Sequence, residues 1–339
     1  MKLTAADIDR LNIGLMLLSL IPAFLLPFQC FLFVYAFLGP LHYLTEINWL
    51  HQKQYFTSAK SDYRFIVIAT LIIGILVFFK LPLRAYVSVI TFTVFAAALG
   101  FVLFKTVKAK VLFTIGSFAL GMALHTFFPK YFRIAFSTLM PTLIHVFVFT
   151  GLFILVGALK SNSKTGLASL CVFVFCALAT LLAGTHYTME IMSEQIRDNH
   201  TSFIRVNKVM LSLFNAFDPD TLTTTGMHNG YRYSEFPVYF SDAGIRVMRF
   251  IAFAYTYHYL NWFSKTSVIQ WHNTRQINLI AIMLLWVASV VLYIIDYKTG
   301  LKWLFLLSFG HVLLEFPLNH RSFIEIKHRL QAKFTPQIK

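Results

Sequence analysis

The stretch IAFSTLMPTLIHVFVFTGLFILVGAL, from Ile134 to Leu159, contains no Asp, Glu, Lys or Arg and lies between Arg133 and Lys160. About 20 apolar residues in a helix cross the hydrocarbon core of a bilayer. The segment is long enough for that, and its flanking charges suit headgroup contacts. The one ionisable side chain inside it is His145. An imidazole placed mid-span carries a desolvation cost, so it is a functional candidate from the outset.

Similar runs recur on both sides. Reading outward gives Leu11–Leu38, Phe65–Phe79, Ala85–Phe104, Val111–Phe128, Leu167–His186, Ile245–Phe263, Ile277–Ile295 and Leu301–Leu318. The expected fold class is therefore all-α, a polytopic transmembrane helical bundle of about 8–9 spans forming a single integral membrane domain over residues 1–339. Composition agrees: 58% of the 339 residues are hydrophobic and 13% charged, whereas soluble domains carry roughly 25% charged residues. Asp7, Asp9 and Arg10 stand where a signal peptide would have a basic region, so the first apolar segment is expected to remain as an anchor.

The long connection over 187–244 is expected to continue helically through Glu190, Glu194 and Arg197. Thr201–Phe217 then reads as an amphipathic interfacial helix, with Phe203, Val206, Met210, Leu213 and Phe214 opposite Arg205, Lys208 and Ser212. A turn-rich loop around Asp218-Pro219-Asp220 and Asn229-Gly230 follows. Residues 319–339 read as a basic C-terminal tail.

The net charge of +15 does not point to nucleic acid. Lys80, Arg84, Lys105, Lys110, Lys130, Arg133 and Lys160 stand singly at the ends of apolar runs, a lipid-headgroup pattern rather than a basic patch. The expected partners are the lipid bilayer and a hydrophobic small-molecule or lipid substrate. Let side A be the face where the C-terminal tail emerges. It collects the short loops containing Lys53, Lys60, Arg64, Lys105, Lys108, Lys265 and Arg275, so the C-terminus is expected to be cytoplasmic and the location the inner (plasma) membrane. Cys30, Cys171 and Cys176 lie in apolar runs with no CxxC spacing, which signals neither a zinc knuckle nor a disulfide framework.

The histidines carry the chemical signal. His42 ends the first apolar run, His258 lies near the end of the seventh, His272 precedes the eighth and His311 lies in the ninth. Glu46 follows His42 by four residues and Glu315 follows His311 by four, so each pair shares a helix face. With His145 these make the candidate metal ligands: His42, Glu46, His145, His258, His272, His311 and Glu315. Imidazole and carboxylate without thiolate suit iron, possibly as a di-iron pair, and also admit zinc, copper or manganese. A second set, His186, Glu190 and Glu194 with His125 nearby, reads as the solvated face of a helix leaving the membrane. His320 reads as a headgroup contact.

Nucleotide loops and the HExxH motif are absent. In composition the chain is similar to the histidine-rich membrane oxygenases, which include di-iron desaturases, hydroxylases and carotene-cleaving enzymes, but the clustered HxxxH and HxxHH boxes of the desaturases are missing. The leading expectation is a multi-pass non-haem iron oxidoreductase acting with O₂ on a lipid-soluble substrate. The alternatives are a bis-histidine haem electron-transfer protein and a proton-coupled transporter using His/Glu relays.

Overall fold

The computed structural model describes residues 4–334, apart from 187, 190–191, 218–220, 223, 225, 229–230 and 266–269. The main helices are α1 (Ala5–Leu25), α2 (Pro27–Gln52), α3 (Tyr63–Phe78), α4 (Val87–Leu103), α5 (Val107–Phe127), α6 (Pro129–Ser161), α7 (Lys164–Leu182), α8 (Glu194–His200), α9 (Ile204–Leu213), α10 (Asp242–Ser264), α11 (Gln276–Ile295) and α12 (Tyr297–Phe334). The only β-structure among the described residues is the two-residue pairing of Met227–His228 with Tyr231–Arg232. Eight helices among the described residues are long and apolar enough to cross a membrane. α3 is apolar but shorter, and α10 is of spanning length but rich in Tyr and polar residues. The protein is a multi-pass helical bundle.

The first apolar run is not one span. It breaks at Leu26, whose φ of −138° and ψ of 61° are non-helical, and Pro27 begins a new helix. A proline lacks the N–H for the ladder and pushes the preceding residue out of the α region. α1 then runs antiparallel to α10: its Asn12 accepts a hydrogen bond from Tyr257 at 3.2 Å and another from Ser264 at 3.0 Å. The loops keep the sides expected from the sequence, but the N-terminus moves to side A. There Ser163 and Thr165 each donate to Asp9 at 2.8 Å. Lys110 pairs with Asp62 at 2.6 Å, and the Ser58 hydroxyl caps the end of α4 through the Phe104 carbonyl.

Two further differences follow from local chemistry. α7 ends at Leu182, so the chain does not continue helically through Glu194, and His186 and Glu194 share no helical face; Glu190 lies outside the described residues, as do Asp218-Pro219-Asp220 and Asn229-Gly230. The amphipathic helix is shorter than expected and buries Val206, Asn207, Met210 and Leu211 against the side B end of the bundle, leaving Leu213 and Phe214 exposed. The last span continues as one helix through Phe334, so the first part of the supposed tail is ordered helix with Asn319, His320 and Ser322 buried.

The core forms two clusters. One is built around Phe28, Phe31, Tyr43, Phe173 and Phe253, the other around Leu50, Ile66, Val94, Phe149 and Phe316. α2, α6 and α12 contribute to both, through Tyr43 and Leu50, Val146 and Phe149, and Leu304 and Val312. The seam between the clusters is where the histidines gather.

Candidate metal centre

α6 supplies the most unusual backbone. Residues Ile134–Phe149 adopt the wide π-helical pitch, with Thr142 at φ −123° and ψ −105° inside it. Pro141 removes one ladder donor there and crowds the preceding turn. Wide-pitch segments concentrate at functional sites, and this one carries His145 into the seam.

Four helices bring His42 (α2), His145 (α6), His258 (α10) and His311 (α12) together, and all four side chains are buried. The His42 and His258 Nε2 atoms are 3.1 Å apart, as are those of His145 and His311. Ring centroids are 4.8 Å apart for His145 and His258 and 5.4 Å for His42 and His311. Glu46 Oε2 lies 3.0 Å from His42 Nε2. Donor atoms of His42, His145 and His258 all fall within 4.8 Å of one another, and so do those of His42, Glu46 and His311. Donors bound at about 2.1 Å to one ion, at angles between octahedral and tetrahedral, are spaced by roughly 3.0–3.4 Å.

Two of the opposite ring nitrogens have hydrogen-bond partners. His258 Nδ1 is 2.8 Å from the Thr150 hydroxyl, and His311 Nδ1 is 3.3 Å from the Leu307 carbonyl. His145 Nδ1 is 2.9 Å from Glu315 Oε2. A carbonyl oxygen only accepts, so His311 carries its proton on Nδ1 and presents a bare Nε2. That bare Nε2 faces His145 Nε2 across 3.1 Å, where it can accept a proton from that ring or bind a cation. His42 Nδ1, Glu46 Oε2, His145 Nδ1 and Glu315 Oε2 have no partner with hydrogen-bond geometry among the described residues. Buried polar groups left in that state are costly unless something else binds them.

Of the residues singled out from sequence, six meet here and one does not. His272 is exposed in the turn between α10 and α11, against Trp271; α10 ends at Ser264, and the chain must leave the bundle before Gln276 can start the next helix. Glu315 contacts His145 across the helix interface rather than acting with its own-helix neighbour His311, the position of a carboxylate that orients a ligating imidazole. His320 is a packing residue, 2.7 Å from the Phe95 carbonyl. His125 is 3.3 Å from Ser88.

Sequence reading missed Thr150 and Tyr43. Thr150 is five residues after His145, a spacing that a wide-pitch helix brings toward one face; Pro141 was the available hint. Tyr43 stacks on His311 at 4.4 Å and reaches the Tyr259 hydroxyl at 3.0 Å. A cavity of about 680 Å³ opens beside His145, His258 and His311, walled largely by Ile73, Val77, Val146, Tyr255, Phe305 and Phe309.

Comparison with protein-family models, curated proteins and solved structures finds no match.

Proposed function

We propose that this protein is a membrane metalloenzyme that holds one iron ion by the Nε2 atoms of His42, His145, His258 and His311 and uses O₂ to oxidise a lipid-soluble substrate. The observation that carries the reading is the convergence of four buried imidazoles from four helices, with two Nε2 pairs each 3.1 Å apart, among buried polar atoms left without hydrogen-bond partners. The two candidate donor groups share His42, whose Nε2 faces both. One imidazole nitrogen binds one ion, which favours a single metal over a di-iron pair.

Four imidazoles alone would fill zinc's usual tetrahedral shell and leave Glu46 without a role. Iron accepts the four histidines with Glu46 beside them and keeps a position for O₂. When bound, it would supply the redox chemistry. The protein's own contribution is to orient the imidazoles through Thr150, Leu307 and Glu315, exclude water, and hold an apolar chain in the adjoining cavity. Side A as the cytoplasmic face of a plasma membrane belongs to the same proposal, supported by the basic loops there.

A bis-histidine haem is disfavoured, because its two axial nitrogens stand about 4 Å apart across a flat macrocycle, and the facing pairs here are at 3.1 Å. The test is metal analysis of detergent-purified protein with an absorption spectrum. We expect close to one iron, no Soret band, and loss of the metal in His258→Ala/His311→Ala. Less than about half an equivalent of metal, unchanged in that variant, rejects the proposal.

A further inference from the structure

The cavity beside the histidines has a second end. On side B it is lined by Arg84 from the turn before α4, Arg133 from the start of α6 and Arg205 from α9, with Ser202 next to them. Among the described residues no carboxylate lines the cavity. Among the described residues none of the three guanidiniums has an ion-pair partner. Partial desolvation and the like charge of Arg133 both hold Arg205 below its ordinary pKa. Gathering like charges at one opening is unfavourable without an anion between them, and planar guanidiniums bind carboxylates and phosphates bidentately.

The middle of the cavity has a different character. Between the arginines and the histidines, α6 contributes Ser137, Thr138, Pro141 and Thr142, and the other helices contribute the apolar Val77, Leu301, Phe305 and Phe309. Arg133 and His145 both line it from α6, at most about 18 Å apart along the helix axis. The site therefore has a cationic mouth, a middle with apolar walls on α3 and α12 and hydroxyls on α6, and the histidine cluster at its inner end.

We propose that the cavity binds a single-chain amphiphile with an anionic head, a carboxylate or a phosphate, held by Arg84, Arg133 and Arg205 while its hydrocarbon chain extends to the histidine cluster. This rests on the reading of the cavity as the substrate site and names the substrate's class. α9 then has a role beyond covering the bundle end, because Phe203, Arg205 and Val206 complete the mouth.

The test is equilibrium binding to the full-length protein in uncharged detergent, with the metal removed, so that failure of the iron proposal leaves the result readable. The probes are palmitate, hexadecyl phosphate, hexadecanol and inorganic phosphate. We expect palmitate or hexadecyl phosphate to bind at least about tenfold more tightly than hexadecanol, and inorganic phosphate to displace neither. Arg84→Gln/Arg133→Gln/Arg205→Gln should raise the Kd of the anionic probe at least about tenfold while leaving hexadecanol unchanged. Because the three side chains are exposed at the mouth, the variant is expected to keep its helical content and melting temperature. A single Arg205→Lys serves as a milder variant, retaining charge but losing the bidentate fork. Equal binding of hexadecanol and the two anions overturns the proposal. So does an unchanged Kd in the triple variant. Displacement by inorganic phosphate alone also overturns it, since the site would then be a headgroup-only anion site.

Discussion

Replacing Thr150 by Val tests the centre without touching a proposed ligand. The substitution keeps the side chain's shape but removes the hydroxyl 2.8 Å from His258 Nδ1, in a place where both residues are buried. A buried donor left without an acceptor costs about 1–3 kcal/mol. In metal-free protein the His258 ring escapes much of that cost by moving its proton to Nε2. With metal bound, Nε2 is committed to the ion and the proton must stay on the unsatisfied Nδ1. The cost therefore falls on the bound state and lowers metal affinity, by about 10- to 100-fold for a lost orienting partner of this kind. Thr150→Ser retains the hydroxyl and should stay within about threefold of the parent. The assay is competition with a chelator of known affinity, with melting of the metal-free proteins as a control for folding. Thr150→Val binding metal as tightly as the parent, or Thr150→Ser losing as much as Val, would refute the tautomer argument.

Other outcomes follow from the same geometry. His272→Ala should leave metal content unchanged, because that side chain is exposed in the turn after α10; metal loss in this variant would put His272 back in the ligand set. Gly244→Ala would drive a methyl group onto the carbonyl oxygens of Pro237 and Val238. Backbone cannot yield as a side chain can, so a destabilisation of about 1–3 kcal/mol is expected as a lower melting temperature, and an unchanged melt contradicts it. Burial holds the His200 imidazole, outside the membrane spans, at about 3 against an ordinary 6.5. The unfolded chain therefore takes up that proton first, and stability falls as pH drops from 6.5 toward 3. At about pH 5 the loss is roughly 2 kcal/mol. His200→Gln, which cannot titrate, should flatten that slope, and melts that remain parallel in the two proteins over this range count against the assignment.

Much of the bundle was legible from apolar run length, as α4, α5, α10 and α11 illustrate: each begins and ends within a few residues of its sequence-read limits. Run length failed where two helices share one continuous apolar stretch, because hydropathy does not register the break at Leu26 that Pro27 imposes. It also failed beyond Leu182, where an apolar-to-polar transition was read as a continuing helix. His42 and Glu46 were legible as a pair because i,i+4 spacing fixes them on one face, and they lie 3.0 Å apart. The same rule suggested His311 with Glu315, yet Glu315 contacts His145 from another helix.

Sequence alone determined that this chain belongs in a bilayer as helices and that it carries imidazoles where desolvation makes them costly. Both depend on local composition and on the length needed to span hydrocarbon. Which imidazoles face one another and which arginines ring the cavity were decided by the packing of α2, α6, α10 and α12 and by α9 closing over one end. Those relations join residues up to a few hundred positions apart, and periodicity along a single helix holds no information about the rotation of its neighbours.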